Sequence, residues 1–232
     1  IIGGIMHKRE GEPPVEADDR DLVDVLMSIK DSDGNGQFSA DIVTGMFISM
    51  MFAGHHTTST TASWLIIELL RNPEVMAKVV GEMDALAEAG GVTITYQDLR
   101  EVPWLESSIK ETLRLHPPLI LLLRMVMEPL DVEGFHIPAG KLVGASPSVS
   151  NRLPEAFADA GSFDPARYIE PRQDDVDNPW NWIPFGAGRH RCVGHPGRLR
   201  RVCAGRVHAL LRASSLPARL GAISVFCPVG QC

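Results

Sequence analysis

Cys192 lies in the run Phe185-Gly186-Ala187-Gly188-Arg189-His190-Arg191-Cys192-Val193-Gly194, a loop rich in glycine and positive charge. Closely spaced glycines permit tight turns whose backbone N–H groups point at a sulfur, and Arg189 and Arg191 add positive potential; both favour a thiolate. A thiolate bound to iron donates electron density and favours O–O cleavage. A cysteine in a turn, taken singly, is more often an inert buried residue, so the pattern around this one carries the assignment.

Two further groups have spacing with chemical meaning. Glu111 and Arg114 share one face of a helix expected from Val102 to His116, where Leu105, Ile109 and Leu113 recur before Pro117-Pro118. Alone, such a pair reads as a solvent-exposed salt bridge of little weight. The second is Gly54-His55-His56-Thr57-Thr58-Ser59-Thr60-Thr61, a polar stretch inside a long helix expected from Asp41 to Arg71, entered through Ser39 and closed by Asn72-Pro73. No formal charge lies between Asp41 and Glu68, yet the polar stretch suits a bilayer poorly, so the helix is expected to be buried within the protein. Widened, π-type turns occur at such interruptions, where water and ligands enter. An imidazole at His56 titrates near neutrality and could pass protons through the Thr57 hydroxyl and water. The other reading of His55 and His56 is a hydrogen-bonded helix pair.

The cysteine run resembles the haem-binding signature of the cytochrome P-450 monooxygenases, matched here by Phe185, Gly188, His190, Cys192 and Gly194. The resemblance implies haem b, with Cys192 as the thiolate ligand of its iron, Phe185 packed beside it and His190 on a propionate. Phe163-Asp164-Pro165-Ala166-Arg167-Tyr168 is similar to a second family segment. It implies that Arg167 completes a Glu-Arg-Arg network with Glu111 and Arg114 that pins the cysteine loop. A carboxylate shared by two buried guanidinium groups is costly to break and fixes geometry. Ala53-Gly54-His55-His56-Thr57-Thr58 resembles the family's oxygen-binding sequence, Gly54 opening space over the haem and Thr57 supplying the hydroxyl. It departs from the family at His56, where an acid is usual.

That histidine, with Phe52 to Thr57 and the run ETLRLHPPLILLLR from Glu111 to Arg124, resembles the sterol 14α-demethylase branch. The branch implies that Phe52, Ala53, Leu119, Leu121 and Leu123 face a flat hydrophobic substrate and that Arg124 binds a haem propionate. It also implies repeated oxygen insertion at a sterol methyl group, which leaves as a one-carbon acid. By pattern alone, Leu119 to Leu123 is a buried strand, and ordinary core is the other reading of Phe52 and these leucines.

The elements that must position these groups make a chain that is mainly α with a small β component. It is expected to be the C-terminal part of the cytochrome P-450 fold, the N-terminal part being absent. Residues 1–194 form that partial domain, from the oxygen-binding helix to the haem-thiolate loop. A short amphipathic helix is expected over Asp21 to Ile29, another helix over Asn72 to Ala89, and a hairpin over Leu130 to Val143. Asp31 to Gly36 reads as a surface turn with a weak likeness to the start of a calcium loop, Ile42 standing where the closing glutamate belongs. Residues 195–232 are an atypical basic tail with Arg198, Arg200, Arg201, Arg206, Arg212 and Arg219 and three of the four cysteines, expected to be translated out of frame.

A chain of 232 residues, 44% of them hydrophobic, could bury a sizeable core. Its net charge of −7 argues against polyanion partners, and the tail lacks interleaved aromatics, so no nucleic acid is expected. The scattered cysteines give no spacing for a metal other than the haem iron. With no Gly-x-Gly-x-x-Gly element for a flavin or nicotinamide, electrons are expected from a ferredoxin or flavin reductase, with O2 and a sterol-like substrate as the other partners. No cleavable signal or anchor is visible, and a cytoplasmic, soluble location is expected. The expected function is sterol 14α-demethylation by a haem-thiolate monooxygenase. The alternatives are a non-catalytic remnant of a truncated, frameshifted gene and a cytochrome P-450 acting on another hydrophobic substrate.

Overall fold

The computed structural model describes residues 1–10, 12, 16, 19–90, 102–192 and 194, so the tail 195–232 lies outside the described residues. The chain divides into two compact units, Ile1–His56 and Thr57–Cys232, and the boundary falls within one helix. Helices dominate, joined by short antiparallel strand pairs.

In the first unit, α1 (Ile2–Glu10) is followed by α2 (Leu22–Ser28) and the start of α3 (Ala40–Arg71). Asp21 opens α2 with a capping box, its Oδ1 accepting from the N–H of Val23 at 2.8 Å and of Asp24 at 3.1 Å while Asp24 Oδ2 accepts from the Asp21 N–H at 3.0 Å. Arg9 closes a fork on Asp21 at 2.7 and 2.9 Å. Met6, Val23 and Val43 form the small core of this unit. In the Asp31–Gly36 turn, Asp31 Oδ1 accepts from the N–H groups of Asp33 at 3.0 Å and Asn35 at 2.8 Å. The aspartate thereby closes its own turn.

Helix α3 is entered at Ser39, whose Oγ accepts from the Ile42 N–H at 3.4 Å, and ends where Asn72 Nδ2 donates to the Glu68 carbonyl at 2.8 Å before Pro73. Two expectations about it are corrected. Its middle stays α-helical, without a π-type turn: the hydroxyls of Thr61 and Ser63 bond back to the carbonyls of Thr57 at 2.8 Å and Ser59 at 2.9 Å, leaving the helical ladder intact. Nor is the helix buried along its length, because residues 48–56 are all exposed. Lack of charge does not bury a helix; a packed partner does. The first turns have one through Val43 and the later turns through Ala62, Leu65 and Leu69, but the stretch between them has none among the described residues.

Those three residues form the main core of the second unit with Val79 and Met83 of α4 (Pro73–Gly90) and Leu105, Ile109 and Leu113 of α5 (Pro103–Leu115). Trp64 of α3 stacks on His116, just past the end of α5, with ring centroids 3.8 Å apart and planes within 4°. His116 Nε2 also lies 2.8 Å from Glu68 Oε1, a second tie between the same helices. The prolines that follow direct the chain into β1 (Leu122–Met125), which pairs antiparallel with β4 (Leu142–Ala145). A separate hairpin pairs β2 (Leu130–Val132) with β3 (Phe135–Ile137) through Glu133 and Gly134, both at positive φ, 48° and 83°.

The strands thus differ from the sequence reading in two ways. The expected hairpin over 130–143 is shorter, because Leu142 and Val143 pair with β1. Leu119 to Leu123 is not a buried strand: pairing starts at Leu122, and Leu119, Ile120, Leu121 and Leu123 are 52, 67, 48 and 51% exposed. A two-stranded ribbon offers too few neighbours to bury a face. Beyond β4 come α6 (Pro147–Ser150), a 3₁₀ turn at Pro165–Tyr168, α7 (Asp174–Asp177) and a second 3₁₀ turn at Gly188–His190. Among the described residues no helix is long and apolar enough to cross a membrane.

The start of α5 is held from α4. Pro103 occupies the first turn, and Glu82 accepts from the Trp104 N–H at 2.8 Å and the Leu105 N–H at 3.1 Å. Burial pushes the Glu82 carboxyl above its ordinary value of 4.5, against the pull of these two donors. The folded chain therefore holds a proton at Glu82 more readily than the unfolded chain. This group's contribution is fully present below pH 4.5 and is lost as pH rises through the raised folded value. Glu82→Ala should cost about 1 kcal/mol through loss of the cap. Glu82→Gln should flatten the pH dependence. Urea denaturation of both variants between pH 4 and 8 checks this; wild-type and Gln curves that run parallel would contradict it.

Candidate functional site

Three of the sequence-selected residues meet in one buried cluster. Glu111, Arg114 and Arg167 are 0, 0 and 1% exposed. Arg114 grips Glu111 within one helical turn, Nε on Oε2 and Nη2 on Oε1, each at 2.8 Å. Its other donations go to the carbonyls of Asn151 and Ala160, both at 2.8 Å, and Ser162 at 3.0 Å, so all five guanidinium N–H groups are used. Glu111 Oε1 also accepts from Arg167 Nε at 3.2 Å and the Asp164 N–H at 3.0 Å, and its Oε2 accepts from Tyr168 Oη at 3.2 Å. Burial opposes charge on Arg114, but the bonds to Glu111 outweigh it and hold the guanidinium above its ordinary range. Burial, and then the charge of Glu111, push the Tyr168 phenol far up, which keeps its hydroxyl a donor.

The sequence did not reveal how this cluster is completed. Asp164 both supplies an N–H to Glu111 and caps the 3₁₀ turn, its Oδ1 accepting from Ala166 N at 3.2 Å. Asp159, at φ 51°, turns its carbonyl toward Arg167 Nη2, 2.9 Å away. Tyr168 had a visible signal in its place directly after Arg167. The carbonyls of 151, 160 and 162 had none, because any residue carries one.

The cysteine loop follows. The Cys192 N–H donates to the Phe185 carbonyl at 2.8 Å, closing the loop over Gly186 and Gly188, both in the left-handed region at φ 69° and 68°. A side chain on either would be strained. His190 lies exposed in the second 3₁₀ turn, while Cys192 carries a free, exposed thiol. A Cβ on Gly194 would stand 3.6 Å from that sulfur. Phe185 packs against the main core.

The remaining candidates are more dispersed. Arg124 is exposed on β1, its Nη1 donating to the neighbouring Leu123 carbonyl at 2.7 Å. Leu121 and Leu123 converge over Gly144, where a Cβ would meet their methyl carbons at 2.9 and 3.2 Å. Leu119 precedes the strand and is exposed. In the first unit, Phe52, Ala53 and His56 are exposed on α3, with the Phe52 and His56 rings 6.4 Å apart. His55 and His56 meet edge to face at 5.5 Å. Thr57, half-buried, begins the second unit, and its carbonyl holds Thr61 Oγ1 at 2.8 Å.

The donor set bears on which group the loop could hold. Among the described residues there is no cluster of three or more His, Cys, Asp or Glu able to hold a metal ion. A bare zinc ion asks for three or four protein ligands. Haem brings its own equatorial nitrogens and asks the protein only for an axial ligand, such as a cysteine sulfur. The exposed Cys192 sulfur, on a loop whose glycines adopt positive φ without strain, fits that requirement.

The chain matches the family model described as Cytochrome P450 over residues 3–196. It is 55% identical over 194 residues to a sterol 14α-demethylase of Mycolicibacterium vanbaalenii, covering 84% of this chain and 43% of that protein. A human lanosterol 14-alpha demethylase is 34% identical over 195 residues, covering 82% and 36% respectively. The chain thus spans well under half the length of these curated relatives. Among solved structures, retinoic acid-bound cyanobacterial CYP120A1 superposes with a TM-score of 0.77 at 26% identity, covering 89% of this chain and 47% of that one. The haem domain of cytochrome P450DA gives a TM-score of 0.78 at 22% identity, a likeness of fold.

The buried cluster makes a direct prediction. Glu111→Gln leaves two buried guanidinium groups without their counter-charge and should cost about 3–5 kcal/mol. Breaking the half-exposed pair of Arg172 and Asp164 at 2.7 Å by Arg172→Ala should cost at most about 1 kcal/mol. Equal losses in urea denaturation would show that Glu111 does not hold this region.

Proposed function

This chain belongs to the cytochrome P450 family, and from that membership we propose that it is part of a haem-thiolate monooxygenase acting on a sterol-like substrate, with Cys192 as the axial iron ligand. The observation that carries the thiolate reading is the exposed Cys192 sulfur on a loop closed by its own N–H to Phe185. The substrate reading is supported by 55% identity to a sterol 14α-demethylase. When bound, haem would supply the activation of O2 needed to insert one oxygen atom into an unactivated C–H bond, repeatedly at the sterol 14α-methyl group.

The residues of this chain have separate tasks in that reading. His190 and Arg124, both exposed and both N–H donors, hold the propionates. Phe52, Ala53, Leu119, Leu121 and Leu123 offer apolar surface to a flat substrate and exclude water around it. His56 and Thr57 hold the proton source. Consecutive helical residues do not face each other, so a proton leaving the His56 imidazole reaches Thr57 Oγ1 through water rather than by direct contact. Glu111, Arg114 and Arg167 keep the surrounding backbone in place. Electrons come from a separate ferredoxin or flavin reductase, and the enzyme is cytoplasmic.

A second reading concerns the tail alone. The family match ends at residue 196, two residues beyond the cysteine loop, and the residues after it are rich in arginine and cysteine. This favours translation of 195–232 out of frame, which would leave the chain a non-catalytic remnant.

Three experiments test these readings. In protein loaded with haem, Cys192→Ser should abolish the thiolate-type Soret shift of the reduced carbon monoxide complex; an unchanged spectrum removes Cys192 from the role. In a chain extended to the length of its relatives, Thr57→Ala or His56→Ala should leave substrate binding nearly intact and divert electrons to peroxide. Tight coupling in both variants would rule out the relay. For the tail, shifting the reading frame of the DNA near codon 194 should reveal an amphipathic helix rich in alanine, isoleucine and phenylalanine, and its absence from both alternative frames would end the frameshift reading.

A further inference from the structure

Trp182 is tied at three points. Its Nε1 donates to the carbonyl of Lys110 at 3.1 Å, in the turn of α5 that also carries Glu111. Its ring meets Tyr168 edge-on at 6.2 Å and Phe185 edge-on at 6.1 Å. Lys110 Nζ, fixed by Asp175 at 2.7 Å, stands 5.7 Å from the Tyr168 ring and 6.0 Å from the Trp182 ring, where the cation adds to their packing. The Phe185 carbonyl in turn holds the Cys192 N–H at 2.8 Å. A continuous path of contacts therefore leads from α5 to the thiol. The described hydrogen bonds of Glu111, Arg114 and Arg167 to other elements end on residues 151 through 168, short of the cysteine loop, with Tyr168 passing them on to Trp182 only through its ring.

We infer that Trp182 is the positioning residue of the cysteine loop, setting where the Cys192 sulfur stands relative to α5 through the Lys110 carbonyl on one side and the Phe185 ring on the other. The buried ion network fixes α5 to the 151–168 segment; Trp182 carries that position onward to the loop. Its importance for catalysis rests on the proposed role of Cys192, but the placement itself does not.

The test uses the 232-residue chain without haem and reads amide hydrogen exchange by mass spectrometry in peptides covering 185–192 and α5. Trp182→Phe keeps a ring and removes the N–H. Loss of one such bond, of ordinary net strength, should speed exchange across 185–192 about fivefold while α5 keeps its protection. Phe185→Leu, at the other end of the path, should do the same. Tyr168→Phe, which keeps the ring and removes only the hydroxyl on Glu111, should lower the urea midpoint and leave 185–192 unchanged. Trp180→Ala, at a residue 75% exposed in the same segment, should change neither. Unaltered exchange at 185–192 in Trp182→Phe overturns the inference, as does Tyr168→Phe accelerating it equally. If Trp182→Phe fails to fold, unaltered exchange in Phe185→Leu overturns it. No haem enters these measurements, so failure of the Cys192→Ser spectral test and failure here are separate results.

Discussion

One carboxylate organises the second unit. Glu111 takes five donated hydrogen bonds inside the protein, from two arginines, a tyrosine and a backbone N–H. Such a group is costly to dehydrate, and each donor that reaches it offsets part of that cost, so the members of the cluster support one another. Because Arg114 also binds three carbonyls between 151 and 162, a stretch with little regular structure acquires fixed coordinates from a helix far away in sequence. Directional bonds do here what a hydrophobic interface does between helices.

Around this centre the helices are locked by contacts of a different kind. The apolar seam of α3, α4 and α5 supplies burial, while Glu82 and the Trp64–His116–Glu68 group hold the two ends of α5. The start of that helix is fixed from α4, since Val102 supplies no side-chain cap. Its end is fixed by its own flanking residue His116, whose N–H donates to the Thr112 carbonyl at 2.7 Å while its ring stacks on α3. A helix held at both ends and at its centre is a rigid base for the segments that pass it.

Within the second unit, several of the candidate residues are exposed. Cys192, His190, Arg124 and Leu121 are exposed, whereas Glu111, Arg114 and Arg167 are buried and Trp182 and Phe185 are half-buried. A site needs its contacting groups exposed and the scaffold beneath them firm. The bare stretch 48–56 of α3 and the bare leucines before β1 have the same character.

By itself, the sequence determined α2 to α5 and offered candidates for the chemistry, but not α1, α6 or α7. Proline punctuation and apolar spacing placed α3, α4 and α5 within a residue or two, local pattern singled out the cysteine loop and the Glu111–Arg114 pair, and Arg167 was named through the family resemblance of its segment. These features are short-range, set by neighbours along the chain. The tertiary structure alone decided burial and partnership. It exposed the middle of α3 and the leucine run, moved Leu142 and Val143 into a different strand pair, and completed the Glu111 shell with Tyr168 and Asp164. It also set Trp182 between α5 and the cysteine loop. An apolar residue is buried, and a carboxylate satisfied, only by groups distant in sequence, and one chain of residue types does not say which of them arrive.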